Sequence, residues 1–517
     1  MQRSTATSPA HLGALAEESL QRTGDHDALF FEGRTWRSAE LLERARRAAG
    51  GLRKLGIQPG DRVVVLMANC PEVAITYNAT WRIGAVVTPV VFLVTAPELR
   101  HVLIDSEAAC VVTTTEFLPK VFEAAHDVDT VSHVVVVGDA PTGPVPDGIE
   151  VTGFDKLEAA APADVVDRAE DDLASLMYTG GTTGRSKGVE LTHRNLVFCG
   201  QSAHAASYVP GLVRALNPLP ISHAFGMIVT VGAMHSPEPG FAVLMRWFDP
   251  AAWISLAAEH RIQRSALVPA MAQYLLTQPL EDADLGSLRY LNIGAAPLAR
   301  ETIDEVERRL PGVEILEGYG CTESGGVISA NPPGRRKIGT VGPPIPGYQV
   351  RIVDDSGTPV PDGSDGEVIV HSEGVMHGYR NSQEATESAL RDGWLYTGDI
   401  GRLDEDGYLT IVDRKKDLII RGGFNVYPRD VEDVLLEHPA VAMAGVVGRP
   451  HDALGEEVVA FVSLNAGAAT NSEELIAFAR TRLAANKYPR EIYVLDALPL
   501  TSVGKLDRKT LRGQLRS

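Results

Sequence analysis

The chain contains few cysteines, and their spacing argues against metal binding. Its 517 residues include four, which are Cys70, Cys110, Cys199 and Cys321. They lie far apart and match no metal-binding spacing. Such a set predicts reduced thiols and a cytoplasmic location. We expect the first three to be small buried side chains.

The sequence also lacks an apolar run long enough to cross a membrane. Its most apolar stretch, residues 85–94, is short and contains Thr88 and Pro89, so it predicts a buried strand. Residues 1–24 show neither a continuous apolar core nor the cleavage signal of a secretory leader. We therefore expect no membrane span and no secretory signal.

Positive charge is in the minority. The chain has 48 Lys and Arg residues against 67 Asp and Glu residues, a formal net charge of −19. General binding to nucleic acid or to an anionic membrane is therefore not expected, and an anionic ligand would need a local cluster of donors. The hydrophobic content of 44% and the charged content of 22% are typical of a globular protein. The length corresponds to about three to four domain-sized units.

One segment, residues 178–188, concentrates residues that can surround a phosphate. It reads Tyr-Thr-Gly-Gly-Thr-Thr-Gly-Arg-Ser-Lys-Gly. Glycines allow backbone N–H groups to turn toward an anion, hydroxyls add donors, and Lys187 adds a positive charge. The segment is not the common P-loop, because two residues separate Gly184 from Lys187. A flexible Gly/Thr surface loop is the alternative interpretation, and composition alone does not decide between the two.

Around this segment, strand patterns alternate with helix patterns, which predicts an α/β sheet covered on both faces. Residues 173–178 predict a buried strand that leads into the loop. Thr192 is the expected N-cap of the helix that follows. Residues 14–55 are expected to be mostly helical, with a break at residues 33–35.

The pattern changes in the last third of the chain. Short strands between Gly, Pro and Asp turns over residues 339–410 predict a small antiparallel β unit. A boundary is expected near residue 413, between an N-terminal region of residues 1–413 and a C-terminal lid of residues 414–517. Pro428 is expected to open a helix in the lid, and about a hundred residues suffice for a separate α+β domain.

Five further positions carry residue types suited to nucleotide or acid chemistry. His223 lies in an apolar setting, and residues 294–297 end a predicted strand with small residues against which a flat ring could lie. Glu323 follows another strand end and could hold Mg²⁺. Asp399 could bind two adjacent hydroxyls, as on a ribose, and Lys505 lies on a glycine turn. Each has an ordinary alternative, which is a structural histidine, a β-turn or a solvated surface charge.

Together, and in this order, these segments resemble the acyl-adenylate-forming superfamily of acyl-CoA synthetases, carrier-protein adenylation domains and beetle luciferases. The resemblance extends over residues 55–508. The sequence is most similar to bacterial fatty-acyl-CoA ligases, through residues 178–184 and the Asp-Leu-Ile-Ile-Arg-Gly-Gly-Phe-Asn-Val segment at residues 417–426. It departs from the family at Leu500, where a basic residue is common, and at Val503, where serine is common.

The resemblance implies a role for each segment. Binding of the β- and γ-phosphates of ATP is implied for Thr179, Gly180, Gly181, Thr182, Thr183, Gly184 and Lys187. Contacts to the rest of the nucleotide are implied for Gly294, Ala295, Ala296, Gly318, Tyr319, Gly320, Thr322, Asp399 and Arg414. Contacts to the acid are implied for His223, Phe225, Gly226, Val268, Gly294 and Gly320. Catalytic roles are implied for Thr182, His223, Glu323 and Lys505, with Glu323 also the Mg²⁺ ligand.

Two further implications concern the C-terminal region. Lys416 is the implied hinge of a mobile lid, and Gly422 and Gly423 are implied to border the channel for the pantetheine of coenzyme A. Lys505 would assist the first half-reaction and obstruct the second, and rotation of the lid resolves that conflict.

The implied reaction has two steps. A carboxylate attacks the α-phosphorus of ATP, pyrophosphate leaves, and a thiol then takes the acyl group from acyl-AMP. Neither step needs an enzyme nucleophile, so Cys321 is not expected to be catalytic. We expect an apolar acid, fatty or otherwise, because residues 224–229 and 268–272 contain no acidic residue to pair with a substrate ammonium. Coenzyme A is the expected thiol. A carrier-protein phosphopantetheine and a nucleotide- or acyl-binding pseudoenzyme are the alternatives.

Overall fold

The computed structural model describes residues 11–139, 143–179, 185–465, 467–500 and 506–515. Its helices, in chain order, are α1 (Leu12–Thr23), α2 (Ser38–Lys54), α3 (Pro71–Arg82), α4 (Ala96–Ser106), α5 (Leu118–Ala125), α6 (Phe154–Glu158), α7 (His193–Ser207), α8 (Ala224–Ala233), α9 (Pro250–Glu259), α10 (Pro269–Leu276), α11 (Arg300–Arg309), α12 (Gln383–Ala389), α13 (Pro428–Leu436), α14 (Ser472–Arg480) and α15 (Arg508–Gln514).

The strands, in the same order, are β1 (Asp27–Phe31), β2 (Arg34–Arg37), β3 (Arg62–Leu66), β4 (Val86–Pro89), β5 (Ala108–Thr114), β6 (His133–Val137), β7 (Glu150–Gly153), β8 (Leu173–Thr179), β9 (Lys187–Thr192), β10 (Arg214–Asn217), β11 (Phe241–Leu244), β12 (Arg264–Leu267), β13 (Tyr290–Ile293), β14 (Glu314–Tyr319), β15 (Ser329–Ala330), β16 (Gln349–Val353), β17 (Gly366–His371), β18 (Gly378–Tyr379), β19 (Leu390–Arg391), β20 (Trp394–Leu403), β21 (Leu409–Arg414), β22 (Ile419–Arg421), β23 (Phe424–Val426), β24 (Val441–His451), β25 (Gly455–Leu464) and β26 (Glu491–Val494).

The chain folds into two compact units. The first comprises the described residues before residue 299 together with residues 302–349 and 370–395, and the second comprises residues 299–301, residues 350–369 and the described residues from 396 onward. This large α/β part followed by a smaller C-terminal part confirms the predicted architecture. The division at residues 413 and 414 stays a prediction.

Two mostly parallel sheets form the first unit. Within the described ranges, the first sheet has the strand order β15-β14-β13-β12-β10-β11-β1-β2 and the second has the order β18-β9-β8-β4-β3-β5-β6-β7. In the first sheet, β10 to β14 pair in parallel. Because parallel strands end at the same edge of a sheet, the residues that follow β10, β12, β13 and β14 come together, as at many ligand sites in α/β proteins.

Helices cover the sheets with apolar side chains. Trp253 of α9 is fully buried, and its indole Nε1 donates to Ser265 Oγ at 3.1 Å. The Ser265 hydroxyl in turn donates to Leu216 O at 2.8 Å. On the second sheet, α4 and α5 bury Leu99 and Val121 completely. Burial of such side chains contributes about 1.5–3 kcal/mol each.

The N-terminal region differs from its helical prediction. Between α1 and α2, residues 27–37 form the antiparallel hairpin β1–β2, so the prediction of helix there is wrong. The reason lies far along the chain, because Leu29 and Phe30 pair in parallel with Ala242 and Val243 of β11. The hairpin therefore extends the first sheet, and local periodicity does not reveal such a partner.

The second unit contains a sheet of strand order β23-β22-β25-β24, with β26 paired to β25. Pro428 opens α13 as predicted, and Val431 and Leu435 on that helix are fully buried in the core of this unit. Ion pairs attach α15 to the same unit. Arg508 donates to both Glu432 oxygens at 2.8 Å, and Arg512 donates to Asp417 Oδ1 at 2.7 Å.

Two stacked histidines lie in the core of the first unit. The rings of His11 and His193 are 4.4 Å apart and nearly parallel, and both side chains are buried. Leu12 N donates to His193 Nδ1 at 3.3 Å. Burial, together with the neighbouring His11 and Arg168, lowers the pKa of His193 to about 3. His193 is also the first residue of α7, where the helix dipole disfavours a cation.

Because of His193, we expect the protein to lose stability in mild acid. The unfolded chain takes up a proton on His193 near pH 6.5, whereas the folded chain does so only near pH 3. The unfolding free energy should therefore fall as the pH drops through this window, by up to about 1.4 kcal/mol per pH unit from this residue. His193→Asn keeps an acceptor for Leu12 N without a titrating group, so denaturant melts between pH 7 and pH 4 should show a shallower decline.

His451→Asn is the matched control. His451 is exposed, and its Nδ1 also accepts from a backbone N–H, that of Ala453 at 3.2 Å. Its replacement should leave the pH dependence unchanged. Equal slopes in the unchanged protein and in His193→Asn would contradict the assignment.

Candidate active site

Two strands of the second sheet, β8 and β9, flank the predicted phosphate loop in the sequence. β8 and β9 are antiparallel, and Thr179 lies directly opposite Lys187. This confirms the predicted strand that leads into the loop, and Thr192 is the N-cap of α7, as predicted. Residues Gly180, Gly181, Thr182, Thr183 and Gly184 lie outside the described residues, so their phosphate role stays a prediction.

Sequence reasoning missed a residue that anchors this loop. His101 of α4 contacts Ser186 O through Nε2 at 2.8 Å. A carbonyl oxygen only accepts, so Nε2 must carry the proton. The His101 ring also lies edge-on to the ring of Tyr178, with 6.2 Å between centroids. The backbone next to Lys187 is therefore held by His101 as well as by the pairing of β9 with β8.

Glu323 lies in a tight turn after β14. Residues 322–324 form a single 3₁₀ turn, which the Ser324 hydroxyl closes by donating to Cys321 O at 2.9 Å. Gly326 N donates to the same carbonyl at 3.0 Å. The Tyr379 hydroxyl donates to Glu323 Oε1 at 2.8 Å. The carboxylate therefore has a defined orientation.

The expected adenine-binding segments lie at the ends of two neighbouring strands. Residues 294–296 follow β13, residues 318 and 319 end β14, which pairs with β13 in parallel, and Gly320 follows β14. Side chains have almost no room here: a Cβ on Gly294 would lie 3.0 Å from Gly318 O, and one on Gly320 would lie 2.0 Å from Gly326 O. Ala295 has a φ of +72°, which is costly for a residue with a side chain. At Gly294 and Gly320 the backbone itself therefore forms the surface, and the binding of a flat ring there stays a prediction.

The predicted acid-binding residues meet at the same edge of the first sheet. His223 is the N-cap of α8, and its Nδ1 accepts from Phe225 N at 3.3 Å. The Phe225 ring lies 3.7 Å from the Cβ position of Gly294. A Cβ on Gly226 would lie 2.1 Å from Pro220 O, so the helix start packs directly on the preceding loop. Val268 follows β12 and is half-buried.

Asn69 is a second residue that sequence reasoning missed. It lies just beyond β3 and is only 3% exposed. Its Nδ2 donates to Leu219 O at 2.8 Å and to Met245 O at 3.0 Å, and its Oδ1 accepts from Ile221 N at 2.9 Å. Its side chain therefore ties the second sheet to the loop that carries His223. A polar residue directly after a buried strand is the signal that could have identified it.

The cysteines have the structural roles expected for them. Cys70, Cys110 and Cys199 are buried, and burial raises the pKa of the Cys110 and Cys199 thiols to about 12. Thiols with such pKa values stay protonated and unreactive near neutral pH. Cys321 is half-buried beside Ser324 in the Glu323 turn.

Three predicted residues of the second unit lie close together. Asp399 is 5% exposed and lies opposite Arg414 in the β20–β21 pair, with Arg414 Nε 3.2 Å from Asp399 Oδ1. Lys416 lies in the short turn that follows β21. Burial, with a further contribution from Arg414, lowers the pKa of Lys416 to about 8.

Gly422 and Gly423 form the turn of the β22–β23 hairpin, where both have positive φ angles. Lys505 lies outside the described residues, so its catalytic role stays a prediction.

The residues around Glu323 suit Mg²⁺. Among the described residues, no group of three or more His, Cys, Asp or Glu side chains is arranged to hold a metal ion. Magnesium in nucleotide enzymes usually takes only one or two protein carboxylates, with phosphate and water oxygens completing its shell. A single oriented carboxylate fits that pattern. Within the described ranges, no helix is both long and apolar enough to span a membrane.

Comparison with known proteins agrees with this geometry. The chain matches the AMP-binding enzyme family over residues 16–380 and the AMP-binding enzyme C-terminal domain over residues 430–505. A long-chain-fatty-acid–CoA ligase of Bacillus subtilis (strain 168) is 34% identical over 528 residues, covering 97% of this chain and 94% of the relative. A feruloyl-CoA synthase of an Amycolatopsis species is 37% identical over 486 residues, covering 92% and 93%.

A solved structure shows the same fold. The anthranilate CoA ligase AuaEII in complex with anthranoyl-AMP matches with a TM-score of 0.91 at 26% identity, covering 100% of this chain and 99% of that chain. The predicted resemblance to acyl-adenylate-forming enzymes is thereby confirmed, and the chain belongs to the AMP-binding enzyme family.

Proposed function

We propose that this enzyme, an AMP-forming acyl-CoA synthetase, activates an apolar carboxylic acid with ATP and transfers the acyl group to coenzyme A. The proposal of an apolar acid is supported by the groups around Phe225. Phe225 and Val268 offer apolar side chains at the edge of the first sheet, and Gly294 beside Phe225 adds no side chain. Residues 224–229 and 268–272 contain no carboxylate to pair with a substrate ammonium. The relatives are named for fatty and for aromatic acids, and an acid of either kind would fit such a surface.

The first step brings two anions together, so the chain must supply positive charge and fixed donors. Lys187 carries one such charge beside the phosphate loop, and Lys505 is proposed to carry another. Glu323 would hold Mg²⁺, which when bound supplies further positive charge to the phosphate oxygens. The backbone at residues 294 and 318–320 would lie against adenine, and Asp399 would accept from the ribose hydroxyls. Positioning and electrostatics then supply most of the catalysis.

The second step needs only a thiol. The proposed channel borders the Gly422–Gly423 turn, where the absence of side chains leaves room for a slender pantetheine. The same chemistry would serve a carrier-protein phosphopantetheine, which is the second candidate acceptor. A cytoplasmic location suits both acceptors and stays part of the proposal.

A panel of acids tests the proposal. Alkanoic acids of several lengths, cinnamic-type and benzoic-type aryl acids and free α-amino acids are each incubated with ATP and Mg²⁺, with and without coenzyme A. Pyrophosphate release and the product mass are measured. We expect pyrophosphate and an acyl-CoA from an alkanoic or aryl acid. Turnover of amino acids alone would refute the apolar acid, and acyl-AMP that accumulates despite coenzyme A would favour a carrier protein.

A further inference from the structure

The side chain of Tyr379 contacts both Lys187 and Glu323. It belongs to the two-residue strand β18, which pairs antiparallel with β9 so that Tyr379 faces Val189. Arg380 N donates to Gly188 O at 2.8 Å. The backbone of Tyr379 is therefore fixed against the strand that begins with Lys187.

The same segment is also fixed to the Glu323 turn. Met376 N donates to Glu323 O at 2.8 Å, and the Tyr379 hydroxyl donates to Glu323 Oε1 at 2.8 Å. A carboxylate oxygen only accepts, so the Tyr379 hydroxyl is the donor in this bond. No other described residue donates a hydrogen bond to this carboxylate.

The face of the Tyr379 ring contacts the lysine. Lys187 Nζ lies 4.9 Å from the ring centroid, a cation–π distance. Such a contact holds an ammonium without cancelling its charge. No ion pair joins Lys187 to Glu323 in the described part of the chain. A direct ion pair would neutralise both groups, and each would then be less available to a phosphate or a cation.

We propose that Tyr379 is a positioning residue that holds Lys187 and Glu323 close together but unpaired, so that one receives the triphosphate and the other its divalent cation. This inference rests on the proposed function. The ring acts on Lys187 and the hydroxyl acts on Glu323. The hydroxyl contact can therefore be removed alone, and the ring contact can be removed together with it.

The test compares Tyr379→Phe, which removes only the hydroxyl, with Tyr379→Leu, which removes both contacts. Calorimetry measures ATP binding at increasing Mg²⁺, and AMP binding alongside. For Tyr379→Phe we expect the Mg²⁺ concentration for half-maximal ATP binding to rise about tenfold, as loss of a hydrogen bond to a charged group predicts. For Tyr379→Leu, ATP affinity at saturating Mg²⁺ should also fall about tenfold. AMP lacks the β- and γ-phosphates, so its affinity should stay within about twofold in both variants.

The chain offers a matched control in Tyr208, whose hydroxyl donates to Glu238 Oε1 at 2.7 Å. Tyr208→Phe removes the same kind of bond and should change none of these values. If Tyr379→Phe behaves like Tyr208→Phe, or weakens AMP and ATP binding equally, the positioning role is refuted. The variant Glu323→Gln tests the proposed Mg²⁺ site separately from the positioning role of Tyr379. If it leaves the Mg²⁺ dependence unchanged, the metal assignment of the proposed function is wrong and this inference fails with it.

Discussion

Replacing Lys505 by alanine is expected to slow the formation of acyl-AMP about a thousandfold, while transfer from supplied acyl-AMP to coenzyme A stays within a few-fold of normal. The carboxylate and ATP repel each other in the first step, and a positive charge placed where negative charge develops lowers that barrier. Loss of ~4 kcal/mol of such stabilisation corresponds to about a thousandfold in rate. In the second step pyrophosphate has left, and the proposed lid rotation has moved the lysine away.

Each half-reaction is measured alone, by pyrophosphate release and by thioester formation from synthetic acyl-AMP. Leu500 and Leu506, which flank the segment of Lys505 in the sequence, form an isolated antiparallel β-bridge. Lys509, exposed on α15, provides the control. Its replacement by alanine removes an equal charge nearby and should affect neither step. If Lys505→Ala folds normally but loses both steps equally, the proposed rotation of the lid between the two steps is refuted.

A variant at the proposed hinge, Lys416→Pro, should keep the first step and lose the second. Proline at Lys416 locks φ and resists the backbone rotation proposed there, so Lys416→Pro should adenylate normally and form thioester poorly. Lys416→Ala removes the same ammonium and leaves φ free, so it should retain more of the second step. If Lys416→Pro forms thioester at the normal rate, the hinge lies elsewhere.

Replacing Asn69 by leucine is expected to lower the unfolding free energy by about 3–5 kcal/mol. Leucine has a similar volume but leaves Leu219 O, Met245 O and Ile221 N without their partner in a buried place, and each such group costs about 1–3 kcal/mol. The loop released by the change precedes His223. Any variant that still folds should therefore show a larger rise in KM for the acid than for ATP.

Asn78→Leu is the control for denaturant melts and for the two KM values. Asn78 lies on α3 in the same region and makes one side-chain hydrogen bond, from Nδ2 to Ala74 O within its own helix at 3.0 Å. Its replacement should cost less than about 1 kcal/mol, because the Ala74 carbonyl keeps its helical partner. Equal stabilities of the two variants would show that Asn69 does not join the two sheets.

Sequence reasoning correctly predicted the elements that are determined by residues close together in the sequence. The strand before the phosphate loop follows from a short apolar run, and the start of α13 follows from Pro428 at its first turn. Thr192 is a helix cap because its hydroxyl accepts from Asn195 N, three residues away. In each case the partner is a near neighbour in the sequence.

The features that were missed depend on distant partners. The β1–β2 hairpin exists because β11 accepts it, and Asn69 matters because its amide reaches Leu219 and Met245. Tyr379 lies 56 positions from Glu323. A single sequence does not show such pairings. The adenine and acid segments were predicted because the order of the motifs resembles that of the superfamily.

The place of β1 in the first sheet has a consequence for synthesis of the chain on the ribosome. About two hundred residues separate β2 from β11, and translation at about 5–20 residues per second takes about 10–40 s to cover them. The second sheet from β3 to β9 is complete earlier, since all of its residues there precede β10. During that interval the segment of residues 27–37 has no partner strand in the first sheet, so its backbone N–H and C=O groups and the apolar side chains of Leu29 and Phe30 are left uncovered. We therefore expect this segment to be a binding site for a holding chaperone during that interval.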